Sequence, residues 1–115
     1  KTIKLHSDIT MNQGQNASDF SAVAPSESWT PIGDRYFQFK GTFDGQMHII
    51  SGVYFNDSSL YSGLFGTVNT DSVIKNFSLK DSYFKSTGND LGSVSGYAAG
   101  KFENIYLFLR PLIIV

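Results

Sequence analysis

The 115-residue chain contains no cysteine. Disulfides and thiolate metal sites are therefore excluded as sources of stability or chemistry. Charge is sparse: charged residues are 17% of the chain and the formal net charge is −1, so no strongly charged partner is implied. The 9 Lys and Arg residues are scattered, with no basic run to follow a phosphate backbone, which argues against nucleic acid. No apolar run approaches the roughly 18 residues that a membrane-spanning helix requires. An H-E-x-x-H zinc helix, a G-x-S-x-G elbow, a P-loop and a G-x-G-x-x-G turn are all missing. The only histidines, His6 and His48, lack metal-site spacing and read as surface or turn residues. No catalytic residue, metal ligand or cofactor is expected.

What the chain does contain is 11 Gly, 10 Phe and 6 Tyr, with abundant Ser. That composition favours strands and tight turns over helices. The chain starts at Lys1 and ends in the apolar run Pro111–Val115. Both ends suggest a piece of something longer or a processed product.

A short pattern recurs. Residues 50–55 (ISGVYF), 74–79 (IKNFSL) and 102–107 (FENIYL) follow one template: apolar, any, Gly or Asn, apolar, any, apolar. The anchors are Ile50, Ile74 and Phe102, at intervals in the twenties. A Gly-rich segment comes before each copy: FKGTFDG at 39–45, SGLFGTV at 62–68 and LGSVSGY at 91–97. A period of this length, with short strands and no helical pattern, predicts a β-helix with one repeat per coil. At roughly 3.3 Å per residue, such a coil holds two or three short strands and their turns. Gly52, Asn76 and Asn104 then fall at corners, where the backbone turns left-handed and Gly or Asn is tolerated best. The template stacks Ile50 under Ile74 under Phe102 as an apolar column.

Positions 1–38 do not follow the repeat. Ile3, Leu5 and Ile9 suggest a strand, residues 11–28 a polar loop with a short helical turn near Ala17–Val23. Trp29 and Ile32 read as a plug, because an open solenoid end exposes apolar side chains and strand edges. The expected division is a capping segment, 1–38, and solenoid repeats, 39–115.

The order L-x-S-D-I at 5–9, W-x-P-I-G at 29–33, F-x-G-x-F-D-G at 39–45, H-x-I-x-G at 48–52, G-L-F-G at 63–66 and I-x-N at 74–76 resembles a known pattern. It is similar to the GLUG-motif repeats of bacterial surface proteins, among them segments of IgA-cleaving metallopeptidases and adhesin-like proteins. The resemblance implies an all-β, right-handed parallel β-helix of about three to four coils, exposed outside the cell. It carries over no catalytic residue. The implied role is a non-enzymatic stalk, spacer or adhesive surface. Expected partners are adjacent coils or another copy of the chain, and on the side faces a glycan or a host surface protein.

Two alternatives stay open. A polysaccharide-cleaving or carbohydrate-binding β-helix module would draw on Asp34, Arg35, Lys40 and Asp44, although Asp44-Gly45 also reads as a tight turn. A self-assembling unit would use Ile113, Ile114 and Val115 for strand addition. Asn56-Asp57 and Asn89-Asp90 offer oxygen ligands for calcium but are equally ordinary turn formers. Tyr54, Tyr97 and Tyr106 are the candidate ligand-binding residues, as outward aromatics that stack on sugars or anchor proteins. Packing between coils is the other reading of these tyrosines.

Overall fold

The computed structural model describes residues 1–58, 61–86, 91–92 and 94–108, together with the backbone of strand 112–114. Ten strands are found among them. They are β1 (Thr2–Lys4), β2 (Ile9–Thr10), β3 (Thr42–Ser51), β4 (Tyr54–Asp57), β5 (Phe65–Val68), β6 (Val73–Lys80), β7 (Tyr83–Ser86), β8 (Ser95–Ala98), β9 (Lys101–Phe108) and β10 (Leu112–Ile114). One 3-10 turn, Ala17–Asp19, is the only helical element among the described residues. The protein is all-β and every described strand pairing is parallel.

Among the described residues the strands form three sheets. The largest has the order β1-β3-β6-β9, with β2 also paired to β3. A second has the order β10-β7-β4, and β5 pairs with β8 in the third. The chain visits the large, second and third sheets in that order through β3, β4 and β5. It repeats the order through β6, β7 and β8, and begins it again with β9 and β10.

Register fixes the period. Ile74 pairs with Phe102, Phe77 with Ile105 and Leu79 with Leu107, all at one constant offset along the chain. The two later copies of the template therefore align as the spacing predicts. The first copy does not. Ile50 pairs with Leu79, and the partner of Ile74 is Phe43. The register shifts between Asp44 and His48, where Gly45, Gln46 and Met47 all face the single residue Asn76. Gln46 (φ 50°) and Met47 (φ 63°) are both left-handed, and the Asp44 carboxylate accepts the Gln46 N–H at 2.9 Å. A Cβ on Gly45 would lie 2.5 Å from the Asn76 carbonyl oxygen, so only glycine fits the inside of this bulge. The same slip misgroups the Gly-rich segments. The segment at 62–68 contains β5 and that at 91–97 contains all but the last residue of its partner β8, whereas 42–44 pairs with 73–75 in the large sheet.

Residues 1–39 pair with the next pass, one residue beyond the expected capping segment 1–38. β1 and β2 hydrogen-bond to β3, while Ile32 and Phe39 bridge to Phe65 and Val68 of β5. Thr2 lies beside Thr42, a wider sequence separation than that between Ile74 and Phe102. This longer pass accommodates two excursions from the sheets. The Ala17–Asp19 turn falls in one, and residues 34–37 form the other.

The core lies between the sheets. Leu64, Phe65, Val68, Ile74, Phe77, Leu79 and Phe84 are completely buried. Phe65 joins the third sheet to the large one through an edge-to-face contact with Phe43 of β3 (5.3 Å), and it meets Phe39, which bridges to β5, edge-to-face at 5.4 Å. Burial of each such ring contributes about 1.5–3 kcal/mol. Two buried serines tie the bends to the core. Ser82 Oγ accepts the Val53 N–H and donates to the Lys80 carbonyl. Ser72 Oγ accepts the Gly41 N–H and donates to the Phe39 carbonyl. These bonds satisfy backbone groups that leave the sheet ladders at the bends.

Candidate binding surface

Asn76 (φ 63°) and Asn104 (φ 52°) bend β6 and β9 in mid-strand. Their amides form a ladder across the large sheet. Asn104 Nδ2 donates to Asn76 Oδ1 at 3.1 Å, and Asn76 Nδ2 donates to Asp44 Oδ1 at 3.1 Å. Hydrogen bonds from Gln46 N–H and Asn76, in that order, hold the Asp44 carboxyl below the usual carboxylate range. Gly52 belongs elsewhere. It has φ 73° and donates its N–H to the Asp81 carbonyl, and Asp81 (φ 46°) is its neighbour at the following bend. The grouping of Gly52 with Asn76 and Asn104 is thus corrected by the same bulge that shifts β3.

The three candidate tyrosines do not share a face. Tyr54 lies in β4 of the second sheet and is only 8% exposed. It stacks on Tyr83 at 5.5 Å and meets Phe20 edge-on at 5.6 Å. Its ring does face out of the sheet core, but the Ala17–Phe20 segment covers it, held by a hydrogen bond from the Ala17 N–H to Asp81 Oδ1. Tyr54 and Tyr83 therefore offer no open ring face. Tyr83 and Phe84 are buried in β7. Tyr106 is 54% exposed on β9 of the large sheet, beside Ser78.

Tyr97 is the best placed of the three. It is 49% exposed on β8. Its ring lies 5.6 Å from that of half-buried Tyr61, tilted by 57°. Ser95 Oγ donates to the Tyr97 carbonyl. Residues 34–37 leave the same third-sheet side, between the bridges at Ile32 and Phe39. There Tyr36 is 74% and Phe37 80% exposed, and the Arg35 guanidinium lies 4.9 Å from the centre of the Tyr36 ring. Asp34 holds this tip: its carboxylate accepts the N–H groups of Tyr36 and Phe37, both at 2.8 Å. Sequence reading singled out Asp34 and Arg35 for chemistry and missed Tyr36 and Phe37. The Asp-x-aromatic-aromatic run is an Asx-turn signal that could have found them. Two adjacent aromatics, an arginine and a tyrosine pair on one side offer flat apolar rings with polar edges. Such groups bind planar or ring-shaped ligands by stacking.

Asp8 and His48 have structural partners. Asp8 Oδ1 accepts the Ile49 N–H at 2.9 Å and lies 3.1 Å from His48 Nδ1. The Ile49 bond first, and the His48 contact second, lower the Asp8 carboxyl. His48 is tied to a carboxylate in this way, outside any metal cluster: among the described residues no three His, Asp or Glu gather as a metal set. Lys40 is exposed. Asn56 Nδ2 donates to the Tyr54 hydroxyl, and Asp57 ends β4. Asn89-Asp90, Val115 and the side chains of Ile113 and Ile114 lie outside the described residues. An apolar cavity of about 150 Å³ sits under the first pass, lined by Leu5, Ile9, Trp29, Ile32, Phe43 and Leu64. Trp29 is fixed there by its indole N–H, which donates to the Leu64 carbonyl at 2.9 Å. No described helix is long and apolar enough to cross a membrane.

No family model matches the chain, and no solved structure matches it. A protein of Evansella cellulosilytica, named as a Gly-rich membrane protein, is 31% identical over 80 residues. The match covers 67% of this chain and 9% of that protein's length.

Proposed function

We propose that the chain is a segment of a bacterial surface or secreted protein of the GLUG-motif kind. In this reading it folds as a short right-handed parallel β-helix, has no enzymatic role, and serves as a stalk whose aromatic side binds glycans. The β-helix reading is supported by the fixed order in which the chain visits three parallel sheets, with Thr42 beside Val73 and Val73 beside Lys101 at similar sequence separations. Stacked passes of this kind make a stiff body with long side faces, on which loops vary without disturbing the core. The surface assignment is supported by the name of the Evansella protein, which describes it as Gly-rich and of the membrane.

One observation carries the binding role: the exposed Tyr97 ring against Tyr61, on the side from which Tyr36 and Phe37 project. A sugar ring stacks its apolar face on an aromatic ring and bonds its hydroxyls to nearby polar edges. The test is a glycan-array screen followed by calorimetry on any glycan that binds. Tyr97→Ala lowers affinity about tenfold, the worth of one stacked ring. Unchanged binding in Tyr97→Ala and in a Tyr36→Ala/Phe37→Ala double variant would sink this reading. The rival of polysaccharide cleavage is tested on the same glycans by a reducing-end assay. An enzyme loses turnover in Asp34→Ala or Asp44→Ala, whereas a stalk shows only altered stability, because both carboxylates already hold turns.

A further inference from the structure

Residues 34–37 form a tip whose backbone is fixed while its side chains stand in solvent. The chain leaves the third-sheet side after Ile32, which bridges to Phe65, and returns at Phe39, which bridges to Val68. Between these anchors the Asp34 N–H donates to the Phe37 carbonyl at 3.0 Å, and Asp34 Oδ1 accepts the N–H groups of Tyr36 and Phe37. These bonds close the tip on itself, yet the Tyr36 and Phe37 rings remain largely exposed. Rings displayed in this way add nothing to the core, and gathered on one rigid tip they mark a contact surface.

The polar groups of the tip are unequally spent. Asp34 is its one acid, and its Oδ1 is already bonded to two N–H groups. Gln38, next in the chain, uses its amide oxygen to accept Asn69 Nδ2 at 3.1 Å, which leaves its NH2 group as a donor. Arg35 touches the Tyr36 ring, and among the described residues its guanidinium makes no ion pair and no hydrogen bond to an acceptor. The tip therefore offers ring faces, a cation with a fork of N–H donors, and an amide donor. A neutral sugar hydroxyl both donates and accepts and leaves that charge unanswered. A carboxylate only accepts, is planar, and matches the parallel N–H groups of a guanidinium.

We propose that the glycans bound at this tip are acidic: a sugar ring stacks on Tyr36 or Phe37 while a carboxylate carried by that sugar is held bidentately by Arg35. The inference rests on the glycan-binding reading and names the class of sugar. The contact with Tyr36 holds the guanidinium beside the ring before any ligand arrives, so less side-chain freedom is lost on binding.

The experiment is a glycan array built of matched sets: uronate- and sialate-bearing glycans, their methyl esters, their sulfated counterparts and their neutral parents. Calorimetry follows on the tightest acid and its ester. The free acid binds roughly fivefold to tenfold tighter than its ester, and added salt erodes that difference. Arg35→Gln lowers affinity for the acid by about the same factor and so abolishes its advantage, while Arg35→Lys keeps the charge without the fork and restores only part of it. Circular dichroism checks that both variants are folded. Acid and ester bound alike, sulfated glycans bound ahead of carboxylated ones, or an acid preference that survives Arg35→Gln overturns the proposal and leaves the glycan-binding reading standing. An array on which nothing binds overturns both.

Discussion

Replacing Phe65 by alanine tests the arrangement of the core most directly. Phe65 is completely buried and makes two edge-to-face contacts, with Phe39 and Phe43. Losing the burial of a phenyl ring costs about 1.5–3 kcal/mol. Each aromatic pair adds about 0.5–1.5 kcal/mol beyond area. Together these give about 2.5–6 kcal/mol, which brackets the roughly 3–5 kcal/mol of other aromatic-to-alanine changes that leave a cavity. Domains are stable by only about 5–15 kcal/mol, so the variant loses a large part of its stability. The assay is urea unfolding followed by fluorescence of Trp29, the sole tryptophan, whose indole is bonded to the Leu64 carbonyl next to Phe65. The midpoint falls steeply while the slope stays constant. Phe37→Ala is the control, because an 80% exposed ring should change stability by no more than about 0.5 kcal/mol. A loss below about 1 kcal/mol for Phe65→Ala, or equal losses for the two variants, would refute the placement of Phe65 between the sheets.

Further outcomes follow from the bends and the covered tyrosine. Asn76→Ala removes two ladder bonds and leaves at a left-handed position a residue without asparagine's tolerance of it, costing about 2–3 kcal/mol, whereas Asn76→Gly loses the same bonds but suits the backbone and costs about half as much; equal unfolding midpoints would contradict this. Tyr54→Ala destabilises by about 3–4 kcal/mol and frees the Ala17–Phe20 segment to proteolysis, while Tyr97→Ala leaves thermal stability within about 0.5 kcal/mol. Asp8 and Asp44 have lowered folded-state pKa values, so their contribution is complete above the unfolded carboxylate value near pH 4 and is lost as pH falls through their folded values. Acid titration followed by circular dichroism should therefore show a loss of stability below about pH 4 that is smaller in Asp44→Asn.

The legible part of the fold lay in local pattern. The template at 74–79 and 102–107 aligned correctly because β6 and β9 have equal lengths and bend at equivalent asparagines. The copy at 50–55 misled because Gly45, Gln46 and Met47 of β3 together face one residue of β6. A bulge leaves the apolar pattern on each side intact, so the pattern fits at either register. The candidate site was legible only in part. Tyr97 and Tyr106 are exposed as the outward positions imply. Tyr54 also faces outward, yet it is covered by the distant segment 17–20, and no local signal reports that.

By itself the sequence determined an all-β chain with short strands and left-handed bends at Asn76 and Asn104. These follow from glycine, asparagine and aromatic spacing, which act through neighbouring residues. Tertiary structure alone decided the register of β3, the covering of Tyr54 and the pairing of Tyr61 with Tyr97. The physical reason is one of range: a parallel ladder joins residues far apart in the chain, as Ile9 with Ile50 and Ile74 with Phe102. Each of those decisions depends on how much chain lies between two rungs.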